Sequence, residues 1–212
     1  VWGVVALVVI FQPEIRRFLE QMGRTSLGKV FTPEEARNEL DSAITQTVDA
    51  YTSLSKSKTG ALMVFERKNM LDDAIKTGTA LDCTVNAELL KNIFWNKAPL
   101  HDGAVIVRAG RIVGAGCMLP MSGNVNLSRE LGMRHRAGIG MSEHSDAVVV
   151  IVSEETGSIS VAMDGMLKRH LTPEMLEKIL RTELLPDTEG EQKRGLAGFV
   201  ASLKSIRVKK ND

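Results

Sequence analysis

The centre of the chain holds two pairs of short apolar runs, each pair interrupted by a glycine-bearing turn, and this arrangement restricts the fold more than any other feature. Ala104 to Val107 and Ile112 to Met118 flank Ala109-Gly110, while Ala147 to Val152 and Ser158 to Met163 flank Glu155-Thr156-Gly157. Short β-branched runs bounded by turn residues read as strands, and glycine between them supplies the backbone freedom of a tight turn. Two such hairpins form part of a sheet that other elements must cover.

Helical periodicity surrounds them. Thr32-Pro33-Glu34-Glu35 reads as a helix start, with Thr32 as N-cap, Pro33 in the first turn and Glu35 placed for a capping box. Ala36, Leu40, Ala43, Ile44, Val48, Tyr51 and Leu54 then recur at three- and four-residue steps on one face. That helix is expected to end in the polar stretch from Ser55 to Gly60, and Ala61 to Phe65 to follow as a strand. Asn86 caps a second helix read through Trp95, and the glycine-rich and polar stretch from Pro120 to Ser128 leads into a short helix bearing Arg134, His135 and Arg136. Thr172-Pro173-Glu174 opens a last one. The order predicts an α/β domain with a central mixed β-sheet flanked by helices.

The ends read differently from the middle. Val1 to Phe11 is an almost unbroken apolar run halted by Gln12-Pro13-Glu14, too short to span a bilayer, which takes about 20 residues. No basic region precedes it to make it a signal peptide. Residues 1–13 therefore read as the end of a truncated transmembrane helix, in a chain that looks like a cut fragment. Residues 14–31, with Arg16, Arg17, Arg24 and Lys29, read as a juxtamembrane linker on the cytoplasmic side. The expected domain is 32–186, held at the cell membrane and facing the cytoplasm. Residues 187–212 form a charged tail able to make one short amphipathic helix through Leu196, Phe199, Val200, Leu203 and Ile206.

Composition narrows the function classes. Lys and Arg total 27 against 26 for Asp and Glu, so no broad positive field exists to hold a nucleic-acid polymer, and any anionic ligand must be gripped locally. Cys83 and Cys117 are too few for a disulfide framework or a four-thiolate zinc site. Gly23 to Lys29 fits the first seven positions of a phosphate-binding loop, but Val30 stands where a hydroxyl must meet magnesium, so the match is discarded.

Three groups carry chemistry. His101-Asp102-Gly103-Ala104 puts a carboxylate and an imidazole immediately before a strand, where they can project into a cleft; taken alone, Asp-Gly is also a common turn pair. Arg134-His135-Arg136 lies between Gly132 and Gly138 and offers bidentate donors suited to phosphate, or an ordinary solvated basic face. Ser153-Glu154-Glu155 ends another apolar strand, where it could meet phosphate and metal or simply turn the chain.

Taken together, the groups resemble the diadenylate cyclase family, of which an Asp-Gly-Ala and an Arg-His-Arg motif are the defining signatures, in this order. Gly116-Cys117-Met118-Leu119-Pro120 and Val152 to Gly157 are also similar to the family, and the likeness runs from about Thr32 to Leu184. The apolar start followed by Phe11-Gln12-Pro13-Glu14 resembles its membrane-anchored branch.

The resemblance implies an enzyme that joins two ATP into cyclic di-AMP with release of two pyrophosphates. It would use Mn2+ or Mg2+ and a face-to-face homodimer. It implies catalytic roles for Asp102, Gly103, Ala104, Arg134, His135 and Arg136, with Asp102 beside the ribose hydroxyl and the metal. ATP contacts fall on Met118, Leu119, Gly132, Met133, Arg134, His135, Ser153 and Glu154, and metal ligation on Asp102, His101, Glu154 and Glu155. Met118 stands where the family often has an aromatic residue and Met133 where it commonly has a threonine, whose phosphate contact Ser128 or Ser142 could replace. A membrane-bound regulator and an enzyme of cell-wall precursor synthesis are implied partners. The rival expectation is a nucleotide-binding regulatory module of the same fold without turnover.

Overall fold

The computed structural model describes residues 33–185 apart from Asn126, Arg129 and Glu130. The expectations for residues 1–32, including the membrane helix end, the linker and the Thr32 cap, and for the tail, lie outside the described residues.

A seven-stranded mixed sheet forms the centre, in the order β2-β4-β3-β1-β5-β6-β7. Its strands are β1 (Ala61–Phe65), β2 (Thr79–Thr84), β3 (Ala104–Arg108), β4 (Arg111–Cys117), β5 (Val148–Val152), β6 (Ile159–Met163) and β7 (Met166–Leu171). Only β1 and β3 pair in parallel; every other pairing is antiparallel. The two expected hairpins are β3–β4 and β5–β6. In the first, Ala109 and Gly110 both take positive φ, 49° and 81°, as a two-residue type I′ turn requires.

Central strands are apolar throughout because both their faces are covered. In β1, Ala61, Met63 and Phe65 join the core on one face with α1 (Pro33–Lys56), α3 (Ala87–Ile93) and α5 (Pro173–Leu184). Leu62 and Val64 join the core on the other face with α2 (Asp72–Ile75) and α4 (Met133–His144). On the first face Ile44, Tyr51, Leu90, Phe94, Leu176 and Leu180 are shut off from solvent. Each such burial stabilises by about 1.5–3 kcal/mol, and Leu176→Ala should cost about 3 kcal/mol. On the second face α4 lacks an apolar stripe but buries small residues, Ala137, Gly138 and Gly140, so that it lies close to the sheet.

The caps follow the sequence. Asn86 Oδ1 accepts from the Glu88 and Leu89 N–H groups at 3.0 and 3.3 Å, and Thr172 Oγ1 from that of Met175 at 3.3 Å. One boundary differs: α3 stops at Ile93 with Phe94 as C-cap, so Trp95 lies beyond the helix rather than within it.

Candidate active site

Strand order creates the site. Because β1 runs parallel to β3 and antiparallel to β5, the starts of β1 and β3 and the finish of β5 meet at one end of the sheet. Ala61 pairs with Val152, and Met63 with Val105, so the residues just before β1 and β3 and just after β5 share this end. Gly60 precedes β1, Asp102 lies just ahead of β3 and Ser153 follows β5, so the three lie along one rim, with Gly60 at the start of the central strand. On the far side of β3, Cys117 pairs with Ala104 and delivers Met118 and Leu119 to the same rim.

The first turn of α4 brings Arg134 to this rim. Its Nη1 donates to Glu154 Oε2 at 2.6 Å. A cavity of about 310 Å3 is lined by Ser57 to Gly60, Phe94 to Asn96, His101, Arg134 and Glu154, so five separated stretches of sequence share one space. A smaller cleft beside it is lined by Gly132 to His135 and Val152 to Glu155. It joins the Arg-His-Arg segment to the Ser-Glu-Glu segment, with Met133 exposed at its edge.

His101 Nδ1 donates to the Ala98 carbonyl at 2.6 Å, which in the neutral ring leaves the Nε2 lone pair available. Asp102 is exposed, and neither its carboxylate nor that of Glu155 pairs with any described residue. Gly103 adopts φ +121°, and a Cβ there would sit 2.5 Å from the Gly116 carbonyl carbon. The room that Gly103 leaves is thus taken by β4, while Ala104 is fully buried.

Residues 48–167 match the family model described as DAC, DisA bacterial checkpoint controller nucleotide-binding. The chain belongs to this family. Similar proteins include the cyclic di-AMP synthase CdaA of Bacillus subtilis strain 168, 46% identical over 192 residues that cover 88% of this chain and 68% of that one. A diadenylate cyclase of Listeria monocytogenes serotype 1/2a strain 10403S is 43% identical over 189 residues, with the same coverage of each. Among solved structures, a double mutant of DacA from Staphylococcus aureus superposes with a TM-score of 0.67 at 43% identity, covering 68% of this chain and 97% of that one. A hypothetical membrane spanning protein from Bacillus cereus gives 0.59 at 45% identity, covering 60% and 63%. Among the described residues no helix is long and apolar enough to cross a membrane.

Within this DAC domain the Arg-His-Arg triplet does not present one face. A helix turns about 100° per residue, so three consecutive side chains diverge. Arg134 faces the cavity. His135 points inward, with Nε2 3.4 Å from the Ser160 hydroxyl of β6, and burial together with the nearby Arg169 charge holds its pKa below the ordinary value. Arg136 is half-buried, and its Nε donates to the Leu131 carbonyl at 3.4 Å.

Met118 is exposed, its N–H donating to Thr77 Oγ1 at 2.8 Å, and Leu119 packs against the second core. Ser142 cannot replace a hydroxyl at Met133. It is buried toward the other end of α4, donating to the Ile139 carbonyl and accepting from the Gly165 N–H. Sequence reasoning missed Ser57 to Gly60 and Phe94 to Asn96. Gly60 before an apolar run was the available signal, but a residue without a side chain advertises no chemistry.

Proposed function

We infer that this DAC domain is a diadenylate cyclase, condensing two ATP into cyclic di-AMP and two pyrophosphates. The observation that carries the reading is the single rim where Asp102, Arg134 and Glu154, drawn from three segments, flank the start of β1. In each half-reaction a 3′-hydroxyl attacks the α-phosphorus of the opposite nucleotide. The O3′–P bond forms, the bond to the bridging oxygen breaks, and pyrophosphate departs with that electron pair. The hydroxyl proton passes to Asp102, whose carboxylate is unpaired and exposed for the purpose. Arg134 neutralises charge moving onto the leaving pyrophosphate, and Ser153 and the first N–H groups of α4 at Gly132 and Met133 receive phosphate oxygens. Met118 covers the adenine while the Leu119 backbone reads its edge. His135 and Arg136 set the pose of the first turn of α4 from beneath.

The donors fit a divalent cation. His101 Nε2 and the carboxylates of Asp102, Glu154 and Glu155 suit Mn2+ or Mg2+. Among the described residues no three His, Cys, Asp or Glu side chains are clustered to hold an ion. Such an ion supplies charge neutralisation and lowers the proton affinity of the attacking hydroxyl. Hydroxyl and phosphate belong to different nucleotides, so two protomers must face each other. Membrane attachment, a membrane-bound regulator and a cell-wall precursor enzyme complete the reading, on the strength of the resemblance.

Chromatography of the products from ATP and Mn2+ tests this: cyclic di-AMP and pyrophosphate are expected at one to two. ATP binding without pyrophosphate release would instead make the chain a regulatory module. The rate should climb more steeply than enzyme concentration at high dilution, and strict proportionality there would rule out the dimer.

A further inference from the structure

We propose that Gly60 is a positioning residue for catalysis: its missing side chain lets the Arg134 guanidinium and the Glu154 carboxylate lie directly on the backbone at the start of β1. The proposal rests on the cyclase reading and adds a residue to it. A Cβ at Gly60 would lie 2.6 Å from Arg134 Nη1, 2.8 Å from its Cζ and 3.0 Å from Glu154 Oε2. The two separations from Arg134 are too short for atoms that do not bond and that from Glu154 is tight, so an alanine would push the guanidinium off its seat.

The conformation of Gly60 does not explain the glycine. Its φ is outside the left-handed region, unlike that of Gly103, and the obstructing atoms are the free ends of flexible side chains rather than backbone. The fold therefore tolerates alanine here and the site does not. Among the described residues the only carboxylate holding Arg134 is Glu154, whose side chain is 64% exposed, against 20% for Arg134 itself. What fixes the height of the guanidinium is the bare peptide beneath it. Gly60 stands between Asp102 and Ser153 on the rim, so this seat holds the cation between the proton acceptor and the phosphate-binding end. Displacing a catalytic group by about 1 Å can cost on the order of a hundredfold in rate.

The test compares wild type, G60A, R134A and the double variant of the full chain. The readouts are thermal unfolding, turnover of ATP with Mn2+, and affinity for an ATP analogue with a methylene between the α- and β-phosphates. G60A should unfold at or above the wild-type temperature and lose about a hundredfold in turnover. Added to R134A it should change analogue affinity by less than about twofold, because nothing remains to be seated. Should G60A unfold early, removing the guanidinium in the double variant must restore the melting temperature. Near wild-type turnover in G60A, losses that multiply in the double variant, or no such restoration would each overturn the proposal. A wild-type chain that makes no cyclic di-AMP, or a fully active R134A, would instead overturn the underlying reading; inactive R134A beside active G60A would sink only the role of Gly60.

Discussion

The two ends of the same three central strands treat charge in opposite ways. At the C-terminal ends of β1 and β3, Arg108 donates through Nε and Nη2 to Glu66 at 2.5 and 2.8 Å and through Nη2 to Asp72 at 2.8 Å. Glu66, 2% exposed, also accepts from the Leu71 N–H. Hydrogen bonding to Glu66 raises the Arg108 pKa further. Nearby, despite partial burial, the N–H groups of Asn69 and Lys68 and the charge of Arg67 hold the Asp146 carboxyl below the usual range. At the other end, among the described residues, Asp102 and Glu155 have no partner, one His101 nitrogen makes no hydrogen bond, and Arg134 has a single carboxylate. Saturated charges lock strands together; unsaturated ones leave valence for a ligand.

The contrast breaks if function and stability do not separate between the ends. The largest effect expected is Asp102→Asn, which removes the proposed proton acceptor without touching packing. Cyclic di-AMP formation should fall about a thousandfold, with unfolding free energy within about 0.5 kcal/mol of wild type by urea titration. Arg108→Ala should do the reverse, leaving Glu66 buried and unpaired at a cost of about 3 kcal/mol while turnover per folded molecule stays the same.

Acid sharpens the comparison. His135 is buried against Ser160 near Arg169, with a folded pKa below 6.5, so the unfolded chain binds the proton more readily. Its neutral form imposes no penalty above that value, and stability is lost as pH falls below it. The melting temperature should drop between about pH 7 and pH 5.5, and less so in His135→Gln. The Asp146 contribution, a depressed carboxylate, is present above 3.8 and lost only as pH falls through its still lower folded value. The smallest effect is Met118→Tyr: if residue 118 covers the adenine as proposed, an aromatic ring there adds about 1 kcal/mol and should lower KM for ATP severalfold.

The interior of this fold was legible because its strands are uniformly apolar and its helices carry Asn86 and Thr172 as caps. The edges were not. β2 and β7 alternate exposed with half-buried positions and carry Asp82, Lys168 and Arg169, which leaves no apolar run to mark them, and α2 is one turn with no buried residue. At the site, Asp102, Arg134 and Glu154 could be picked out because their chemistry is written in their side chains. That His135 and Arg136 diverge from Arg134 depends on helical rotation around a short helix whose face the sequence left unmarked. Gly60 and Trp95 enter only because tertiary structure brings the start of β1 and the end of α3 to one cavity.

The parallel pairing of β1 and β3 has a kinetic consequence. Gly60 and Asp102 become neighbours only after the long crossover holding α2, β2 and α3 has closed, a non-local step of the kind that slows folding. Catalysis should therefore reappear on refolding with the final cooperative phase, and no partly assembled intermediate can turn over ATP.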